Sequence, residues 1–376
     1  MTRGKISGGY KKYIEEILPR FNKNPDIKSV LIIMHPFIKL TEEIYNLRKI
    51  EFFEHVIKPF NFRFDKPCLN KIQDFKPSII FFPSERYLPF KGVPIVNMVQ
   101  NMEPFAKKNK FNSIKINVKL LILKLIGHYS IKKADGTLAL SQYTVSYLKK
   151  TLKISSSKIA LNYHGANLNN LSTVKPKVIQ RRQISNFIFT AGSIRPARGL
   201  EDILRGFKIL NKKNKNIKLI IAGSFTSDSK KYFEKLKNYI QKNKLNEYVI
   251  WTGSLNQNEM YWCYQNCKAF VMTSRVEAFG IIAIEAMLNG CVCISSDSPC
   301  LPEIFDKAAL YYNEGNSFQL YEKLEYASNI SNEKIKIISK RAKNRAKYFS
   351  WDISAKRTVK FLTEIIERKS SLNGNK

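Results

Sequence analysis

The sequence is poor in acidic residues, with 30 Asp and Glu against 64 Lys and Arg and a formal net charge of +34 at pH 7. Such an excess bears on partners rather than on fold: an anionic membrane surface, a nucleic acid or an anionic substrate would each gain from it. Lys, Asn and Ile are over-used together throughout, so part of the excess is compositional. Cysteine is also sparse. Cys68, Cys263, Cys267, Cys291, Cys293 and Cys300 are too few in a chain of this length for a disulfide scaffold. Cys263 and Cys267 share a helical spacing, but no His or Cys pair follows at zinc-site distance, so they read as buried small thiols and no metal is assigned. Long apolar runs are missing too. The N-terminal MTRGKISGGYKK lacks the apolar core of a secretory signal, and the best run, Val118 to Ile126, is interrupted by Lys119 and Lys124 and cannot span a bilayer. A soluble cytoplasmic protein is expected, or one bound peripherally to the inner face of the membrane. Glycine and proline are too few, at 16 and 14, for a fibrous or largely disordered chain.

What is present points to two globular domains. The chain has 376 residues, 44% of them hydrophobic, which is enough for two cores at the usual size of about 150 residues per domain. Apolar runs of strand length alternate with helical patterns from end to end, the mark of parallel sheets covered by helices. In the first half the strands are expected at Ser29 to His35, Ser78 to Pro83, Pro94 to Val99 and Gly136 to Leu140, with helices at Tyr10 to Phe21, Ser113 to Lys133 and Gln142 to Leu152. Asn167 to Ser185 is polar and basic and reads as a linker. Alternation restarts with strands at Asn186 to Gly192, Lys218 to Ser224, Tyr248 to Gly253, Lys268 to Ser274, Cys291 to Ser296 and Ala309 to Tyr312. The expected fold is thus α/β, with two Rossmann-like, doubly wound domains over residues 1–170 and 186–348, facing a cleft, and a C-terminal helical segment over 349–376. Open parallel sheets bind ligands beyond the carboxyl ends of their strands, so function is sought in the strand-to-helix loops.

One loop is rich in chemistry. After the strand KAFVMTS runs Glu277-Ala-Phe-Gly-Ile-Ile-Ala-Ile-Glu285, which sets Glu277 in the loop, Phe279 and Gly280 at a helix start and Glu285 inside the helix. A helix N-terminus with glycine offers backbone N–H groups to a phosphate oxygen. Eight residues of helix rise about 12 Å, so two carboxylates can grip hydroxyls well separated along an extended ligand. A second loop, Ala191-Gly-Ser-Ile-Arg195-Pro-Ala-Arg198-Gly-Leu200, places two arginines near another helix start. Their forked guanidinium groups suit a diphosphate without a metal, the bland alternative being a solvated pair that caps a loop.

The first segment resembles the signature of retaining GT-B glycosyltransferases of family 4, the glycosyl transferases group 1 domain, in which a Glu, seven residues and a second Glu recur. The resemblance implies that Glu277 contacts hydroxyls of a donor sugar and Glu285 the ribose of its nucleotide. It also implies that the backbone of Phe279, Gly280 and Ile281 approaches sugar and diphosphate. Relatives usually carry Gly-Arg and then Lys-Gly in the second segment; here Ser193 stands where the Arg often is, Arg195 is its substitute, and Arg198 stands where the Lys is. Gly8-Gly9-Tyr10 resembles the glycine-rich loop that approaches the donor phosphates. Ala139 to Thr144, Asn162 to Gly165 and Phe349-Ser-Trp351 extend the likeness over nearly the whole chain. The last of these precedes a helix that in such enzymes commonly crosses back to the first domain.

Two features depart from the family. Only MTRGKIS precedes the glycines, so the first strand is expected to be missing, through either an internal start or an incomplete sheet. Where relatives often have a sugar-contacting His, this chain reads Val99-Gln100-Asn101-Met102-Glu103-Pro104. Gln100, Asn101 and Glu103 are candidates for acceptor or sugar hydroxyls, or else formers of a turn. His128 and His164 are expected to be structural or interfacial rather than catalytic. No Asp-x-Asp occurs, so the carboxylate pair with which the other large glycosyltransferase fold holds a metal is absent, and Arg195, Arg198 and helix dipoles are expected to meet the diphosphate charge. Lys107 to Lys133, in which Lys alternates with Ile, Val and Leu, is either a core helix with solvated lysines or a surface that rests on anionic lipid.

The expected activity is transfer of a sugar from a nucleotide-diphosphate sugar to a saccharide or lipid-linked acceptor hydroxyl, with retention, without cofactor or metal, in cell-surface polysaccharide or lipopolysaccharide synthesis. Two alternatives stand beside it: a catalytically impaired partner subunit, suggested by the missing strand, and a nucleic-acid-binding protein, suggested by charge alone without any helix-turn-helix, zinc-finger or RNA-binding motif.

Overall fold

The computed structural model describes residues 8–56, 63–107, 109–167 and 172–374. Residues 1–7, on which the expectation of a missing first strand bears, lie outside them. The chain divides into two compact units: Met1–Asn101 with Ile122–Gly165 and Ser350–Lys376, and Met102–Leu121 with Ala166–Phe349. The second unit takes in residues 102–121, which a contiguous first domain over 1–170 would have included.

In the first unit β1 (Val30–Met34) pairs in parallel with β2 (Ile50–Glu54). A separate parallel sheet has the order β3 (Ile80–Phe82), β4 (Ile95–Val99), β5 (Gly136–Ala139), β6 (Ile159–Leu161). Every residue of β4 and β5 is buried, so both read as largely apolar runs, and the polar Asn97 and Thr137 within them are satisfied by a hydrogen bond from Thr137 Oγ1 to Asn97 Oδ1 at 2.8 Å. The strand β2 was not anticipated, because IEFFE mixes charge with aromatics and is buried only at its first residue. Nor was β6, which has three half-buried residues. The helix Lys66–Phe75 was also missed; its signals were Asp65, whose side chain accepts from the Cys68 N–H, and a proline in its first turn. A buried Trp351 opens the helix Trp351–Gly374, with its ring 5.2 Å from that of His164 and 6.1 Å from that of Tyr13. Asn162 secures the same helix by donating to Ser354 O (3.2 Å) and Thr358 Oγ1 (2.7 Å).

The helix Ile114–Lys133 corrects the expectation of a core helix with only lysines outside. Ile114, Leu121 and Leu125 are 84%, 57% and 62% exposed, and its buried positions are Gly127, Ser130 and Ile131. Among the described residues no helix is long and apolar enough to cross a membrane. The expected linker is not irregular throughout, since Lys177–Arg181 forms a short helix behind Pro176.

The second unit is one six-stranded parallel sheet of order β12 (Ala309–Tyr312), β11 (Cys293–Ser296), β10 (Ala269–Met272), β7 (Phe187–Ala191), β8 (Lys218–Ala222), β9 (Val249–Gly253). Each strand lies within a segment anticipated from the sequence. The order ascends outward on both sides of β7 and β10, so the topological switch point falls between these two central strands. Phe187, Phe189 and Phe270 in them are fully buried, and Ile203, Phe207 and Leu324 from the covering helices pack on the sheet.

A buried charge network fixes the loops that leave this switch point. Arg275, three residues past the end of β10, reaches Glu201 Oε1 (2.5 Å), Asp202 Oδ1 (3.0 Å) and Glu314 Oε1 (3.0 Å), which follow β7 and β12. Tyr232 donates to Glu201 and accepts from the Leu200 N–H, while Asp202 also accepts from Gly315 N at 3.0 Å. Burial pulls the Arg275 guanidinium down, but Glu201 and Asp202 outweigh it and hold the group above its ordinary value. Removing one member of a buried ion-pair network strands the opposite charge at a cost of about 3–5 kcal/mol. Arg275→Met is therefore expected to lower the stability of the second unit by that amount in urea unfolding, and adding Glu201→Gln and Asp202→Asn should recover part of it. A loss below about 1 kcal/mol, the range of an exposed pair, would show that the network is not what holds the loops.

Candidate functional site

Where β7 ends, the chain passes through Gly192 and a single turn at Pro196–Arg198 into the helix Leu200–Lys213. Where β10 ends, it passes through Thr273, Ser274 and Arg275 to Glu277. The two loops are stitched together directly: Thr273 Oγ1 donates to Arg198 O (2.6 Å) and the Arg275 N–H to Ala197 O (2.9 Å). Gly192 stands at φ +126°, a conformation that L side chains rarely adopt, and a Cβ there would lie 3.2 Å from Arg198 Cζ and Nε. The guanidinium thus lies against the end of β7.

Arg198 Nη1 donates to Glu277 Oε1 and, at 3.1 Å, to Ser274 Oγ, which in turn donates to the same Glu277 oxygen at 2.9 Å. Arg195 Nη1 donates to Glu103 Oε2 at 2.5 Å. Both pairs lie wholly in the second unit. Burial lowers the pKa of Arg198, as does neighbouring Arg195, while Glu277 and Glu103 act in the opposite direction. The Nε atoms of Arg195 and Arg198 are both buried without a hydrogen-bond partner. Such atoms are rare in native proteins and call for an explanation. A ligand with several anionic oxygens fits the donor edges of these guanidiniums, which give charge-assisted bonds in a fixed plane.

Gly280, at φ +93°, turns the chain into the helix Ile281–Leu288, whose first N–H groups have no acceptor within the helix. The Phe279 ring is buried and meets the Phe349 ring edge-on at 5.6 Å, so what it offers a ligand is backbone. Glu285 is 8% exposed and lies 3.4 Å from the Tyr264 hydroxyl, which donates to it. Burial first, and Glu285 second, push the Tyr264 phenol well above its usual value, so it remains a protonated donor.

The first unit holds the other candidates. Gly8 and Gly9 are not a separate loop but the first two residues of the helix Gly8–Lys23. Gln100 and Asn101 follow β4, and their backbone N–H groups both donate to Glu85 Oε1, at 2.6 and 2.7 Å. The Gln100 amide donates to Pro83 O at 2.9 Å. Glu103, grouped with them by sequence, belongs instead to the second unit and is bound to Arg195. Sequence reasoning missed Glu85, although its place just past an expected strand was a signal. Burial raises its pKa, while its hydrogen bonds with Asn101, Gln100 and Tyr10 oppose the shift. One carboxylate thereby ties the start of the first helix to the exits of β3 and β4. Ser274 and Arg275 were also missed; each stands within three residues of Glu277. Ser141, in the Ala139 to Thr144 segment, caps the helix Gln142–Lys150 by accepting from Thr144 N at 3.3 Å. His164 is buried and its pKa falls to about 3, so it is neutral, and His128 Nε2 lies 2.7 Å from the Tyr147 hydroxyl.

Residues 173–345 match the family described as Glycosyl transferases group 1. The O-antigen chain mannosyltransferase RfbU of Salmonella typhimurium is 25% identical over 215 residues, which cover 57% of this chain and 55% of that protein. The chain spans little more than half the length of the curated relatives it matches. Among solved structures, a glycosyltransferase from Rickettsia africae has a TM-score of 0.71 at 16% identity, covering 96% of this chain and 97% of its own. Anabaena HepE in complex with UDP and glucose has a TM-score of 0.72 at 15% identity, covering 95% and 96%. The chain accordingly has the GT-B fold, with residues 173–345 similar to the Glycosyl transferases group 1 family.

Proposed function

We propose that the protein is a glycosyltransferase that moves a sugar from a nucleotide-diphosphate donor to an acceptor hydroxyl, with retention of configuration, in the synthesis of a cell-surface polysaccharide or lipopolysaccharide. The observation that carries this reading is the pair of arginines at the β7 and β10 switch point, each held by a carboxylate and each with a buried, unpartnered Nε. The UDP and glucose bound by HepE and the mannosyltransferase activity in the name of RfbU support a nucleotide-sugar donor, with mannosyl as the first sugar to try.

In this reading Arg195 and Arg198 hold the diphosphate, helped by the N-terminus at Gly280 and Ile281. Glu277, held by Arg198 and Ser274, accepts from donor-sugar hydroxyls, and Glu285 accepts from the ribose. The bond from the anomeric carbon to the diphosphate oxygen breaks as the acceptor oxygen bonds on the same face, and the acceptor proton passes to the departing diphosphate. Charge grows on that leaving group in the transition state, so its arginines stabilise the transition state more than the bound donor. A panel of UDP-, GDP- and ADP-sugars should contain one that raises the melting temperature and is consumed in transfer. With it, Arg198→Ala is expected to reduce turnover about 100-fold or more at saturating donor, and Arg198→Lys to keep part of the rate. Wild-type turnover in Arg198→Ala would remove the diphosphate from this place.

Since arginines meet the charge, no divalent ion is needed at the diphosphate. Addition of Mg²⁺ or Mn²⁺ to chelator-treated protein should leave the rate within about twofold; a rise of ten-fold or more would assign the charge to a metal instead.

The exposed Ile114, Val118, Leu121 and Leu125, with Lys115 and Lys124 among them, support an anionic membrane surface as the place of work and a lipid-linked acceptor, whereas Lys119 is paired with Asp228 at 2.6 Å. Each lysine close to such a surface contributes about 1 kcal/mol. The protein should sediment with vesicles containing phosphatidylglycerol and not with pure phosphatidylcholine. Leu121→Ser with Leu125→Ser should release it, and equal sedimentation with both lipids, or none, would overturn the assignment.

A further inference from the structure

The carboxyl end of β2 and the start of the helix Lys66–Phe75 bring together an imidazole, a carboxylate and a thiol that the proposed sugar chemistry does not use. His55 Nε2 lies 2.8 Å from Asp65 Oδ2, and the ligand atoms of His55, Asp65 and Cys68 all lie within 4.8 Å of one another. We propose that these three side chains bind a divalent transition-metal cation of the zinc class. This inference does not rest on the reading of the protein as a glycosyltransferase.

Three features favour such a cation. The first is the donor set: one nitrogen, one oxygen and one sulfur suit zinc, whereas magnesium and calcium require oxygens. A tetrahedral ion with bonds of about 2.0–2.3 Å keeps its donors roughly 3.4 Å apart, so small side-chain adjustments suffice. The second is charge. Thiolate and carboxylate together neutralise a dication, so the complex can sit at a half-buried place without a stranded charge. Cys68 is fully buried beside Phe64, Ile72 and Leu88, and binding the cation would release its thiol proton to solvent.

The third feature is rigidity. The His55 backbone N–H donates to Met34 O at 2.8 Å, and the imidazole stacks on Phe53 with centroids 5.6 Å apart and planes 4° from parallel. Asp65 caps the helix, and Cys68, three residues on, presents its thiol on the same face. His55 and Asp65 side chains are 21% and 38% exposed, so an ion reaches the site from solvent. The fourth ligand would be water, and the bound ion would clip β2 to the helix.

Co²⁺ is a suitable probe, since it occupies zinc sites and reports thiolate ligation in its spectrum. Full-length protein, reduced and stripped with chelator, is titrated with Co²⁺. The expected result is one equivalent bound with a thiolate-to-cobalt charge-transfer band and tetrahedral visible bands, displaced by Zn²⁺, and a higher melting temperature with Zn²⁺. Cys68→Ser should abolish the charge-transfer band and His55→Ala should weaken binding at least tenfold. Cys267→Ser with Cys291→Ser, which removes a second group of neighbouring thiols, should leave the band in place. No band in the wild type, a band that survives in both Cys68→Ser and His55→Ala, or one lost only with Cys267 and Cys291, would overturn the proposal. Should Cys68→Ser fail to fold, His55→Ala and Asp65→Asn at the half-exposed side decide the same question.

Discussion

The parallel pairing of β7 with β10 is the constraint from which the rest of the second unit follows. It joins strands about 80 residues apart in sequence, matching Ala269 with Ile188 and Phe270 with Phe189. Because strand order runs outward from this pair in both directions, the helices that follow the two strands leave on opposite faces, and their entry loops diverge around a crevice. Everything with chemistry in this unit is on those two loops or on what they grip. Arg198 belongs to one and Glu277 to the other, so their ion pair exists only when the central pairing is formed.

The loops nevertheless contain positive charge in a buried place, and the fold meets this by matching each arginine to acids. Arg195 faces Glu103, Arg198 faces Glu277, and Arg275 faces Glu201, Asp202 and Glu314. In a chain with so few acids, this is a concentrated use of them. Buried pairs contribute little net stability compared with well-packed apolar groups, but breaking one is costly, so they favour one arrangement of the loops over its competitors. Arg275 lies too far into its own network to present a free edge to a ligand. Its part is to hold the β10 exit in place, so that Glu277, two residues on, meets Arg198.

Much of this was legible in the sequence because local signals agreed. Parallel strands buried on both faces read as apolar runs, and the six strands of the second unit were found within two residues of their ends. The loop Glu277 to Glu285 was found because strand, glycine and helix follow one another in a fixed order. The misses have a common cause. Ile50–Glu54 and Ile159–Leu161 are only partly buried, so their pattern is weak. Glu85 and Arg275 take their meaning from partners 15 and 74 residues away, and no periodicity records such distances. The glycine pair at Gly8 was read as a loop, but a helix can begin on glycine when its first N–H groups need no intrahelical acceptor.

The preference for arginine over lysine at the switch point carries a last inference about the ligand. Lysine supplies most of the positive charge of this chain, and a compositional bias toward it acts on every position alike. At residues 195, 198 and 275 that bias is overcome. A lysine ammonium is a strongly hydrated point charge, costly to bury, and it cannot hold a carboxylate with one nitrogen while offering a second, fixed donor edge elsewhere. Arg275 uses its fork to bind three acids at once. Arg195 and Arg198 each bind a carboxylate and keep Nε unpartnered, although each has the same capacity to close a network. Saturated geometry at one arginine and a buried, unpartnered Nε at two neighbours set Arg275 apart from Arg195 and Arg198, on the loops where the sheet of the second unit reverses its order.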